Sequence, residues 1–117
     1  MKKIERNAQT IEQTNYEKAK EIKMIRDNYV YSASRLNSII RPNSNLTKED
    51  YRFYVNAVQE TFKDLDVISK QFISNDFFYP GNPDWWIKTY SRSTYYRLRG
   101  EAIKKFVALF NAKICRC

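Results

Sequence analysis

Histidine is absent from the 117-residue chain. That excludes Ser-His-Asp and Cys-His catalysis, histidine-ligated metals and a histidine pH switch. Only two glycines are present. A Gly-rich phosphate loop and a dinucleotide fingerprint are therefore excluded, because both need backbone N–H groups to reach phosphate without an intervening Cβ. Two glycines and three prolines are also too few for strands joined by tight turns. The two cysteines, Cys115 and Cys117, have one residue between them. They are poorly placed for a mutual disulfide, and two thiolates do not complete a structural zinc shell. The chain reads as cytoplasmic and reduced, with no cofactor. The longest apolar run is five residues, 106–110, against roughly twenty for a membrane span. The first six residues turn polar at once, unlike a secretory signal.

What is present is basic and aromatic. Lys and Arg number 21 and Asp and Glu 13, giving a net charge of +8; 43% of residues are apolar and 15% aromatic. Such a chain packs a core and is too apolar for disorder. Its length gives one domain. Asn, Ile, Lys, Tyr and Phe supply 49 residues and Leu only five, a usage favoured by A/T-rich codons. The charge is unevenly placed. Residues 1–46 carry net +4, residues 47–76 net −2 and residues 77–117 net +6. A polyanion would meet the C-terminal third first. The clustered acids Glu49, Asp50, Asp64 and Asp66 fall where helix capping and solvation explain them. General acid–base work wants carboxylates facing one cleft, so no enzyme is expected.

Helical periods dominate and predict an all-α bundle of four or five helices. The domain divides into an N-terminal helical arm (1–46), a central core helix (47–76) and a basic C-terminal unit (77–117). In the arm, a helix over 3–30 carries a thin stripe of Ile4, Ala8, Ile11, Asn15, Ala19, Ile22, Ile25 or Arg26, and Tyr29. Such a stripe suits self-association or a docked partner, RNA polymerase among them, or a helix lying on the rest of the domain. A bend or short helix with Tyr31, Leu36, Ile39 and Ile40 inward follows, then a loop over 41–45. Thr47 caps the next helix, 48–73, with Glu49 and Asp50 in its first turn. Its broad stripe, from Tyr51 and Val58 through Phe62 to Ile68 and Phe72, makes it the hydrophobic centre. Phe77, Phe78 and Tyr79 plug the core from the break at 74–83.

The C-terminal third reads as a helix-turn-helix: a short helix over 83–89, a turn at 89–91, and a helix from Arg92 to Ala112 capped by Ser91. At 100° per residue, Tyr95, Leu98, Ala102, Phe106 and Leu109 form the buried face, with Ser93, Arg97, Gly100 and Lys104 opposite and Tyr96 on the flank. In such a unit the second helix enters the major groove. Arg97 suits a guanine edge, and Arg92, Ser93, Tyr96 and Lys104 complete the contact set. Lys88, Arg99 and Lys105 would meet phosphates. Trp85 and Trp86 are 100° apart on a helix, so one fills the core against Phe72 or Phe77. The other is an edge plug or a stacking surface.

The run Tyr90-Ser91-Arg92-Ser93-Thr94-Tyr95-Tyr96-Arg97-Leu98-Arg99-Gly100-Glu101-Ala102-Ile103-Lys104-Lys105-Phe106 resembles the C-terminal helix-turn-helix of the ArpU/RinA-type phage transcriptional regulators. More distantly it is similar to the promoter-reading end of sigma-70 factors. The close likeness covers 90–106, and a looser one about 60–112. It implies double-stranded DNA binding and transcription regulation through a C-terminal recognition helix. The overall composition also resembles small uncharacterised mollicute proteins, which implies no activity. Two further readings stay open. One is a protein–protein interaction module whose helix-turn-helix is architectural; the other is single-strand binding through exposed aromatics.

Overall fold

Three side-chain caps set where the helices start. Thr47 Oγ1 accepts from the N–H of Asp50, and the Asp50 carboxylate accepts from the N–H of Thr47, a reciprocal capping box. Asp66 accepts from the N–H of Ser69 at 3.1 Å, and Ser91 from the N–H of Thr94 at 3.3 Å. Each cap satisfies an N–H that has no partner inside its own helix. The computed structural model describes residues 2–36 and 47–115, with side chains from Tyr16 onward. Its helices are α1 (Lys2–Leu36), α2 (Lys48–Asp64), α3 (Val67–Ile73) and α4 (Arg92–Ile114). A π-helical turn, Ser74–Phe78, extends α3. Among the described residues all regular structure is helical, and none of these helices is long and apolar enough to cross a membrane.

The core lies where α4 crosses the other three helices. Phe72, Phe106 and Ile22 have no exposed surface, and Val58, Ile103 and Phe110 almost none. Phe77 and Phe78 plug it from the π-helical turn as expected, while Tyr79 stays exposed. Phe78 stands edge-on to Phe62 at 4.8 Å between ring centres, and Phe62 to Phe106 at 5.4 Å. Such tilted contacts suit the ring quadrupoles.

Several expectations are corrected. The central helix is not continuous over 48–73. It breaks at Leu65 and Asp66, both in extended conformation. The cause is local: the Asp66 side chain takes up the Ser69 N–H and opens a fresh helix. The break resets the helical phase, so Ile68, expected in the buried stripe, is exposed, whereas Phe72 and Ile73 point inward. Phe62 is half-buried rather than fully buried.

The first helix is longer than 3–30 and runs without a bend to Leu36. Ile22 and Ile25 are buried in the common core, with Ala19 and Tyr29 packed against it. The C-terminal half of α1 is therefore a core element and not a thin partner-seeking seam. Tyr31, expected inward, is exposed. The side chains of Ile4, Ala8, Ile11 and Asn15, the loop over 41–45 with Ile39 and Ile40 before it, and Cys117 lie outside the described residues.

Candidate nucleic-acid interface on the last helix

The expected scaffold helix over 83–89 is absent. Asn82 does accept from the N–H of Asp84 at 3.0 Å, as a cap would. The bonds that follow are mostly turn bonds, three residues apart: Trp85 N–H to the Asn82 carbonyl, Ile87 to Asp84, and Thr89 to Trp86. These successive turns do not pass into an α-helix. Both tryptophans explain why, because their rings are held by the body and not by a helix of their own. Trp85 stands edge-on to Phe72 at 5.1 Å, and Trp86 stacks on Tyr95 at 4.2 Å with an interplanar angle of 18°.

Helix α4 starts cleanly. Besides capping Thr94, the Ser91 hydroxyl donates to Thr94 Oγ1 at 2.9 Å. The buried face is Tyr95, Ala102, Ile103, Phe106, Val107 and Phe110, with Leu98 and Leu109 only half-buried. Relative to the expected face this is a rotation of about 60°, at 100° per residue. Helix α4 touches α1, α2 and α3 at once, and the rotation redistributes the predicted contact residues.

Ser93, Arg97 and Lys104 remain on the outward side and are exposed. Among the described residues Arg97 pairs only with Glu101, one turn along at 3.4 Å, and both side chains are more than half exposed. Exposed pairs of this kind bind weakly. Lys88 is exposed in the turns before α4, and Arg92 is exposed at its first position. Tyr96 is 55% exposed, its ring edge-on to Tyr95 at 5.0 Å. Gly100 moves to a half-buried flank.

Two of the predicted phosphate contacts are engaged elsewhere. Lys105 reaches the Asp66 carboxylate at 3.3 Å. Arg99 falls at the centre of the buried face, where its Nε donates to Asp76 at 3.1 Å and its guanidinium lies over the Phe77 ring at 4.9 Å. It is therefore not a free cation.

Asp76 is the residue that sequence reasoning missed. Its carboxylate also accepts from the Trp85 indole N–H at 2.8 Å and from the Tyr95 hydroxyl at 2.5 Å. Burial pushes the Tyr95 phenol well above its ordinary range, and the neighbouring Asp76 carboxylate adds to the effect. Part of the signal stands in the sequence, one acid inside the run Asn75-Asp76-Phe77-Phe78-Tyr79 and Tyr95 and Arg99 one helical turn apart, but only the fold brings the two segments together.

Among the described residues no group of three or more Asp, Glu or Cys side chains could hold a metal ion. No family model, curated protein or solved structure matches the chain.

Proposed function

We propose that the protein is a non-enzymatic binder of double-stranded DNA that regulates transcription, with the N-terminal half of α4 as its recognition surface. The observation that carries this reading is the outward stripe of Ser93, Arg97 and Lys104, flanked by exposed Lys88, Arg92 and Tyr96. Apart from the Arg97–Glu101 contact, the cations of this surface have no ion pair among the described residues. A helix side with donors at this spacing suits a major groove, in which Arg97 is the residue for a base edge and Lys88, Arg92 and Lys104 are for phosphates. Arg99 is left out of the contact set because its part-buried pair with Asp76 holds it. Lys105 is left out because it lies on the flank turned toward Asp66 and α3, its pair being nearly as exposed as that of Arg97. The missing scaffold helix makes this a variant of the helix-turn-helix, with α4 presented by the packed turns at 83–89.

Competition between random duplex and a selected site, at about 0.15 M salt, tests the reading. Arg97→Ala should cost about 1–3 kcal/mol on the selected site and relax preference at one base position. A specificity ratio near one would remove the regulatory role. Absence of duplex binding would remove the reading altogether.

A further inference from the structure

We infer that Asp76 is the positioning residue of the α4 surface, an inference that rests on the DNA-binding reading above. The Asp76 side chain is only 10% exposed. A carboxylate buried this far is costly unless donors meet it, and three do: the indole of Trp85, the phenol of Tyr95 and the guanidinium of Arg99. They come from two different segments. Tyr95 and Arg99 belong to the inner side of α4, and Trp85 belongs to the turns that precede it. One acceptor in the π-helical turn thus ties the connection and the helix to the same point.

The connection needs such a tie. Its backbone makes only local turn bonds between residues 82 and 90. Among the described residues, what fixes it to the body is the Trp85 ring on Phe72 and Tyr95, the Trp86 ring on Tyr95, the Tyr90 ring on Phe72 and, as the side-chain hydrogen bond between this connection and the π-helical turn, the bond from Trp85 to Asp76. Lys88 is two residues beyond Trp86, and Tyr96 follows Tyr95 directly. The position of Lys88 relative to Arg92 and Arg97 therefore depends on a carboxylate that itself touches no ligand. Without that acceptor, indole, phenol and guanidinium lose the partner they share, only ring packing holds the connection, and Lys88 loses its fixed distance from the stripe.

Two variants test this. Asp76→Asn keeps the size of the side chain but sets an NH2 among three donors. Trp85→Phe keeps a ring against Phe72 and removes one donor. In both, amide exchange over 83–90 should rise at least about tenfold while exchange in the α2 segment 55–58 stays unchanged. Duplex affinity should fall by about tenfold in Asp76→Asn. Lys88→Ala should weaken binding in the wild type and have no further effect in Asp76→Asn, whereas Lys104→Ala should weaken both proteins by the same factor. Groups that share a network are coupled, and distant ones add. A residue serving stability alone would leave the effects of Lys88→Ala and Asp76→Asn multiplicative. If α2 exchange shows that Asp76→Asn does not fold, the same measurements on Trp85→Phe decide the matter. Duplex binding by the wild type with unaltered exchange over 83–90 in the folded variants, or with multiplicative effects, overturns this inference alone. No duplex binding by the wild type overturns the DNA reading and this inference with it.

Discussion

Phe106 has no exposed surface, and its ring meets those of Phe62, Phe78 and Phe110 at 5.4–6.3 Å. Helices α2 and α4 and the π-helical turn all converge on this one side chain. Phe106→Ala should cost about 3–5 kcal/mol, because the lost transfer energy is compounded by a cavity with aromatic walls that relax poorly. Phe62 belongs to the same cluster but keeps a wetted side. Phe62→Ala should cost less, under about 3 kcal/mol, since less surface leaves water there on folding. Urea unfolding of the two variants checks the order; an equal or reversed loss would show that the cluster centres on α2. Residue identity alone pointed to Phe62 as well as Phe72, because both fall on the same three-and-four spacing. Spacing cannot register the break after Asp64, and so it cannot say which of two aligned rings ends at the edge of the core.

At the scale of elements, the starts of helices were legible and their interruptions were not. Thr47 with Asp50 and Ser91 with Thr94 are short-range signals, complete within four residues, and both form. Asp66 with Ser69 is the same kind of signal set inside an apolar stripe, where periodicity masked it. The tryptophans illustrate the opposite failure. A proline in a first turn and an Asn cap favour a helix at 83–89, but the tertiary contacts of Trp85 and Trp86 override that preference. The outward stripe Ser93, Arg97 and Lys104 was legible because it lies opposite the buried face on either estimate of the rotation. The place of Arg99 was not, since it depends on a carboxylate 23 residues away. Two predictions belong here. Hydrogen bonding from Ser69, first of all, with a lesser effect of Lys105, holds the Asp66 carboxyl at about 2, below its ordinary 3.8. The folded state therefore binds fewer protons than the unfolded state between about pH 4 and 2. The stabilisation is present in full above pH 4 and is lost as pH falls toward 2. Asp66→Asn keeps a capping side chain without the charge, so its stability should vary less over that window and converge with wild type near pH 2. The side chain is 48% exposed, so screening limits the difference at neutral pH to under about 1 kcal/mol. Parallel stability–pH curves would show that the charge contributes nothing to the cap. For α1, Ile22→Ala and Ile25→Ala should each cost about 2–5 kcal/mol, as buried aliphatic truncations do. Losses below 1 kcal/mol in thermal or urea melts would return this helix to the role of a detachable arm.

Across the whole molecule, folding sorts the positive charge. The middle segment, net −2, faces the C-terminal segment, net +6, and four of its acids take partners from α4, Glu60 reaching Lys113 at 3.9 Å. Asp64 accepts from Lys113 at 2.7 Å, Asp66 from Lys105 at 3.3 Å and Asp76 from Arg99 at 3.1 Å. The pairs run along the flanks and the inner side of α4, where α2, α3 and the π-helical turn pack against it. Among the described residues of the C-terminal segment, the cations left over are Lys88, Arg92 and Lys104, and Arg97 with its exposed neighbour Glu101. They gather at the outward side of the helix and at its start, so the excess charge of this segment is concentrated there, while further exposed cations such as Lys23, Arg52 and Lys63 lie on α1 and α2. This gives a last prediction about salt. A cation that contacts phosphate releases condensed counterions from the duplex, and each such contact adds roughly 0.9 to the slope of log K against log salt. Lys104→Ala should weaken all sequences alike and make that slope shallower by about one. Lys105→Ala and Lys113→Ala remove the same formal charge, yet should leave the slope nearly unchanged, because their partners are carboxylates of the same chain. The comparison holds net charge constant across the three variants, so a general electrostatic attraction predicts three equal changes and the sorted surface predicts one. Equal slopes for Lys104→Ala and Lys105→Ala would show that the Asp66 pair opens when DNA arrives, and the interface would then extend to the flank of α4 that faces α3.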